Sequence, residues 1–334
     1  TAPEVEKAYG RAAELCTRVG EGPQLWQALL GLWSFYHVRA DLQRARGLAE
    51  QLLQSARPSG DAWGLFMGHR ALGATLFWQG ELRAAREHLQ QAFDLGGPLR
   101  QRLDTLPYEA VDWLVGNRSY RAHVLLALGY PDQAVRASRE NVALAQEIGG
   151  PFASTRALFF DGFLHQFLGD VEGARERAEA VIALATEHGF YQFVVSGMLL
   201  RGWCTVAAGG QIEAGITEMR GALDLMRAAG AELGCPIFIG ILAEAYGKAG
   251  QPAQGLAVIE EAVECMNRTG QRLAEAGLQR MKGDLLLAVS RDTHAEAEDC
   301  YRHALDCARR QSAKSWELSA ALSLSRLWRE QGKH

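Results

Sequence analysis

Several things are scarce in this 334-residue chain, and each scarcity excludes something. Cysteine occurs six times (Cys16, Cys204, Cys235, Cys265, Cys300, Cys307) and never as a C-x-x-C pair. No disulfide framework is predicted; the scattered thiols read as reduced, mostly buried residues of a cytoplasmic protein. Proline occurs only nine times, too seldom to interrupt long helices. No apolar run approaches the ~20 residues that a membrane span needs. Positive charge is not in excess: 35 Lys and Arg stand against 39 Asp and Glu, a net charge of -4. The basic stripe of a nucleic-acid surface is therefore absent.

Catalytic grammar is lacking as well. The chain contains no G-x-x-x-x-G-K-S/T, no H-E-x-x-H and no G-x-S-x-G. No catalytic residue, no metal ligand set and no cofactor are predicted. The nine histidines are dispersed, and His165, on an aromatic helix, reads as a packed residue.

What is present is a repeat. In Leu158 to Glu187 an apolar helix with a small residue in its middle, Gly162, runs to a Gly169-Asp170 turn. A second helix follows, carrying Ala174, Ala178, Val181, Ile182 and Ala185 at helical spacing. The turn recurs at Ala40, Gly80, Gly129, Gly169, Gly209, Gly250, Asp292 and Gly332, at intervals of 40, 49, 40, 40, 41, 42 and 40. Five residues after most marks stands a small residue (Ala45, Ala85, Ala134, Ala174, Ala214, Gly255). Seven before them stands another (Gly73, Ala122, Gly162, Gly202, Ala243, Ser325). Small residues at both places let two antiparallel helices cross closely. A fixed period of this length is the pattern of a solenoid, whose units bury their apolar faces only by stacking.

The expectation is an all-α, right-handed superhelical solenoid filling residues 1–334 as one domain. It comprises an orphan helix at 4–20, seven helical pairs over 24–311 and the first helix of a truncated pair at 314–331. Residues 96–112, with paired glycines and two prolines, read as an inserted loop or short extra helix. The chain opens at Thr-Ala-Pro-Glu with neither Met nor a signal-peptide core, and is expected to be a piece of a longer protein.

The first helix of each pair should line the concave wall. Counting from the crossing residues places Arg70, Trp78, His123, Phe159, Phe163, Trp203 and Glu244 there, with Tyr120, Arg121 and Arg156 beside them. Two readings of the aromatics stay open: core between repeats, or an apolar groove for a peptide helix or small ligand. Arg118, Arg121 and Arg156 are likewise either solvated charge or a clamp for a carboxylate or phosphate.

Leu168-Gly169-Asp170 with Ala174 resembles the turn and crossing of a tetratricopeptide repeat, about six residues longer than its usual ~34. Longer segments resemble something more specific: 31–53, 69–89, 127–138, ILAEAYGKAGQPAQGLAVIEEA at 241–262 and KSWELSAALSLSRLWREQGK at 314–333. They are similar to the repeat region of large bacterial signalling proteins, in which a class III adenylate/guanylate cyclase-like or DNA-binding domain precedes a signal-transduction ATPase module and then the repeats. The resemblance implies a non-enzymatic sensor or scaffold arm that binds a protein, peptide or small ligand and acts on the other domains of its own chain. It implies no contact with nucleic acid or membrane. A structural arm for self-assembly is the alternative.

Overall fold

The computed structural model describes residues 3–19, 22–101 and 110–333. These hold sixteen α-helices and no strand. The helices are α1 (Pro3–Val19), α2 (Gly22–Val38), α3 (Leu42–Ala56), α4 (Ala62–Trp78), α5 (Leu82–Arg100), α6 (Ala110–Ala127), α7 (Pro131–Ile148) and α8 (Pro151–Leu168). They continue with α9 (Val171–Glu187), α10 (Tyr191–Ala207), α11 (Ile212–Ala228), α12 (Cys235–Lys248), α13 (Pro252–Thr269), α14 (Glu275–Val289), α15 (His294–Gln311) and α16 (Lys314–Glu330). Each even-numbered helix from α2 to α14 packs antiparallel on the odd-numbered one that follows, and the pairs stack into a solenoid.

The turns have one physical cause. Ala40, Gly80, Gly129, Gly169, Gly209, Gly250 and Gly332 all take positive φ. At six of these marks the next residue's amide donates to a carbonyl five positions back, as in Asp41 N to Tyr36 O, Glu81 N to Leu76 O, Tyr130 N to Leu125 O and Asp170 N to His165 O. This closing turn satisfies carbonyls that a helix end leaves orphaned. Asp41 and Asp170 then cap the second helix of their pair, accepting from the amides of Arg44 and Gly173.

The exceptions locate the register errors of the sequence reading. After the Gly209-Gly210 turn the small crossing residue is not Ala214, which is exposed, but Gly215. A β-carbon there would come 2.6 Å from the Gly202 carbonyl oxygen, and the second glycine has pushed the helix one residue along. Asp292 marks no glycine-type turn either; it lies in a short 3-10 turn, Arg291–Thr293. Of the 96–112 stretch, Gly96–Arg100 is the last turn of α5 with Pro98 inside it, rather than loop. Ala110–Asp112 opens α6, and residues 102–109 lie outside the described residues.

The superhelix closes on itself. The Val38 carbonyl at the end of α2 accepts from the Glu232 and Leu233 amides at 3.0 and 3.2 Å, and the Trp78 carbonyl at the end of α4 accepts from the Leu273 amide at 3.2 Å. The Leu126 carbonyl in the last turn of α6 accepts from the Ser315 hydroxyl at 2.5 Å. Two orphan carbonyls, those of Val38 and Trp78, thus find donors in distant pair-to-pair junctions, and the Leu126 carbonyl, which also accepts from Gly129 N, gains a second donor from the first turn of α16. Leu273, Ala276, Cys307, Ala308 and Ala313 accordingly share one core with Trp33, Phe77 and Tyr120. That seam joins distant repeats across the concave face of the solenoid.

Candidate functional site

A cleft lies at each end of the seam. The larger, on the Leu126 and Ser315 side, has a volume of about 710 Å³. Its walls come from α8 (Phe167), α10 (Trp203, Ala207), α12 (Ile237, Gly240, Glu244, Lys248), α14 (Gly277, Arg280, Met281) and α16 (Trp316, Leu318). Trp203 forms part of the back wall, and Trp316 packs edge-on against Phe167 with ring centroids 6.0 Å apart. The polar groups sit together: Glu244 pairs with Lys248 at 3.2 Å, and Arg280 pairs with Asp284. The Gln166 side-chain oxygen, at the cleft wall, has no hydrogen-bond partner among the described residues. The arrangement offers an aromatic site lined also by a carboxylate, two cations and an amide. Glycines keep it open: a β-carbon on Gly277 would find only the Trp316 ring, at 3.7 Å.

The second cleft, about 640 Å³, lies on the Val38 and Ala231 side and is lined by α1 (Val5, Tyr9), α2 (Leu30, Gly31, Ser34), α4 (Trp63, Met67) and Trp113 of α6. Behind it stands a sealed polar cluster. Arg70 is 1% exposed; its Nε donates to the Trp113 carbonyl at 3.1 Å, and its guanidinium lies 4.2 Å over the Trp113 ring and 5.4 Å from that of Trp33. Burial, reinforced by the nearby Arg156, pushes the Arg70 pKa down to about 9, leaving it cationic at neutral pH. Arg156 itself is held by Asp112 through two hydrogen bonds of 2.7 and 3.1 Å. Tyr120 accepts from the Trp78 indole at 3.1 Å and meets His37 Nε2 at 3.2 Å. Burial pushes His37 down to about 3 and His123, whose Nε2 meets the Phe160 carbonyl at 2.8 Å, to about 4. Both imidazoles are neutral at pH 7.

The residues singled out in the sequence therefore fall in different places. Trp203 and Glu244 line the larger cleft. Arg70, Trp78, Tyr120 and Arg156 belong to the cluster behind the smaller one. His123 is packed among Phe77, Phe160 and Phe167. Phe159 and Phe163 stand in aromatic packing between helices, Phe163 against Phe238 at 5.2 Å and Phe159 against Phe193 at 5.6 Å. Arg121 faces elsewhere: with Arg118 it sandwiches Phe93 of α5, and its Nε donates to Gln90. Arg118, Arg121 and Arg156 thus do not assemble into one anion clamp. Counting along the repeat does not place Arg280 and Trp316 on the wall. Only the spatial return of α14 and α16 brings them there.

No family model matches the chain, and no curated protein matches it. Among solved structures, a Rap protein complexed with competence and sporulation factor is similar over 98% of both chains, at 10% identity and a TM-score of 0.53. A Rap conjugation gene regulator of plasmid pLS20, in complex with the Phr* peptide, is similar over 90% of this chain and 95% of its own, at 12% identity and a TM-score of 0.53. The chain also matches, over its full length, 51% of a signal transduction ATPase with numerous domains carrying a tetratricopeptide repeat sensor, from Pyrococcus horikoshii, at 13% identity and a TM-score of 0.51. This chain spans about half the length of that protein. At such identities the likeness shows the fold, a helical-repeat solenoid of the tetratricopeptide type.

Proposed function

We propose that this chain is a repeat-based sensor module that takes a short peptide or small ligand into the larger cleft. Occupancy then biases the ATPase and output domains of a longer cytoplasmic signalling protein. The observation that carries the reading is the aromatic-walled cleft of about 710 Å³ with Glu244, Lys248 and Arg280 among its lining residues. That volume lies in the range of small-molecule sites, roughly 300 to 1,000 Å³, and is too small for a folded partner. A neighbour in complex with the Phr* peptide, and a signal transduction ATPase with a tetratricopeptide repeat sensor, support the same direction. Signal transfer requires that the ligand favour one state of the full-length protein over another. The seam is the element best placed to differ between states, because its hydrogen bonds join distant repeats.

A thermal-shift screen of short peptides and small metabolites tests this, with Trp203 and Trp316 fluorescence as a second readout. A hit should raise the melting temperature of the wild type and lose that effect in Gly277→Leu, whose side chain fills the cleft. At that helical glycine a β-carbon would make only ordinary contact with the Trp316 ring, so the variant's own stability should change by no more than about 1 kcal/mol. Hits that bind Gly277→Leu equally well would place the ligand elsewhere. A second reading, a self-assembly arm, is favoured by Leu318 and Leu322, one helical turn apart on α16 and 62% and 48% exposed. Light scattering across a concentration series separates the two, since an assembly arm must grow in mass with concentration.

A further inference from the structure

Away from both clefts, α14 and α15 bring a carboxylate, an imidazole and a thiol together. Glu275 sits in the first turn of α14. His303 and Cys307 lie four residues apart on α15, one turn above the other on a single face. One donor atom from each lies within 4.8 Å of the other two. Cys307 is buried, Glu275 half-buried and His303 exposed, so the three converge from the protein side and leave the fourth direction to solvent. We propose that Glu275, His303 and Cys307 form a binding site for a single Zn²⁺ ion, with a fourth, solvent-facing position open.

The donor set matches the ion. Thiolate, imidazole and carboxylate oxygen are its three protein ligands, and a thiolate argues against magnesium or calcium. Tetrahedral ligation needs the donors about 1 Å closer than they stand, a shift that the exposed His303 side chain can supply. The position already attracts positive charge: Arg310 Nη2 lies 3.1 Å from the Cys307 sulfur and 3.9 Å from a Glu275 oxygen. The ion would displace that guanidinium. In the binding step the Cys307 S–H bond breaks, its proton passes to solvent and a Zn–S bond forms.

The location gives the site a consequence. Two residues before Glu275, Leu273 donates to Trp78 across the seam. Four residues after Cys307, Gln311 donates to the Arg272 carbonyl at 2.6 Å and packs beside Gly80. A metal joining α14 to α15 here would brace the closure of the superhelix.

Titration of the chelator-treated full chain with Co²⁺, followed by Zn²⁺ displacement, tests the assignment. One equivalent of Co²⁺ should give the visible bands of a tetrahedral ion and a near-ultraviolet sulfur-to-cobalt band, both bleached by Zn²⁺. Cys307→Ser should remove the sulfur band. His303→Ala, on an exposed residue whose loss leaves the fold intact, should weaken binding by at least about tenfold. Arg310→Ala should tighten binding or leave it unchanged. The proposal is overturned if no sulfur band forms, or if His303→Ala binds as tightly as wild type. It is also overturned if the band survives Cys307→Ser and disappears in Cys265→Ser, which would place the ion at the neighbouring Cys235 and Cys265 thiols.

Discussion

Some equivalent positions of the repeat have different fates in the two halves of the solenoid, while others, such as Ser119 and Leu199, are buried in both. On α4 and α6 the wall positions Ala74, Ser119, His123 and Ala127 are buried, whereas on α10 and α12 Ala207, Glu244 and Lys248 face a cleft. The period is the same, and so are the crossings. What differs is what comes to lie against them: the ends of α2, α4 and α6 are covered by the junctions that precede α12, α14 and α16. Closure of the superhelix therefore decides which part of the wall becomes core and which becomes site.

The strongest way to break this comparison is to show that the halves differ in their crossings rather than in their covering. A β-carbon on Gly73 would meet Leu89 Cγ at 2.7 Å and the Leu89 amide nitrogen at 3.1 Å; one on Gly202 would meet Met219 Cγ at 2.7 Å and the Gly215 carbonyl at 2.9 Å. Gly73→Leu and Gly202→Leu should each destabilise by about 3 kcal/mol or more through backbone displacement, as read by denaturant melts. A large loss in only one would show the two halves to be built differently.

The next effect contrasts the charges. Arg70→Ala removes a fully buried side chain packed on two tryptophans and should cost about 3 kcal/mol. Glu244→Ala loses an exposed pair and should stay within about 0.5 kcal/mol. Equal effects would mean that the N-terminal half is not sealed.

A smaller effect per residue follows from the histidines of the sealed half. His37 and His123 have folded pKa values depressed to about 3 and about 4, so folding favours the neutral form. The stability they contribute is complete above the unfolded pKa near 6.5. It declines as pH falls from there toward the folded values. By pH 5 the loss should be about 2 kcal/mol for each, and His123→Gln should flatten part of the decline in melting temperature. An unchanged slope would mean that His123 is solvated.

The smallest effect lies at the turns. Ala40 holds the left-handed conformation, φ 59°, that glycine holds at the other marks. Ala40→Gly should raise stability by about 1 kcal/mol or less, relief of strain set against loss of a buried methyl. A loss of stability would show that the methyl packing dominates.

These residues also show how much the sequence carried. Turns and crossings were legible because each is a local demand: positive φ at Gly169, a missing side chain at Gly162. The register slipped only where a second glycine, Gly210, or the 3-10 turn at Asp292 replaced the usual closing hydrogen bond. The seam was not legible, because Val38 and Glu232 stand far apart in the chain and carry no local mark of their pairing. For that reason counting places Trp203 and Glu244 on the wall, while Trp316, on the last helix, carries no local mark of its place there. For the same reason Arg121, read beside the wall, turns out to face α5.

The most direct test of the central claim is an electron-density map of the chain purified from its native source, inspected between Trp203, Glu244 and Trp316. The account predicts ligand density in that cleft, while Ala74, Ser119 and His123 remain packed within protein. A cleft filled by its own side chains, with the α2 to α6 wall open to solvent instead, would contradict it.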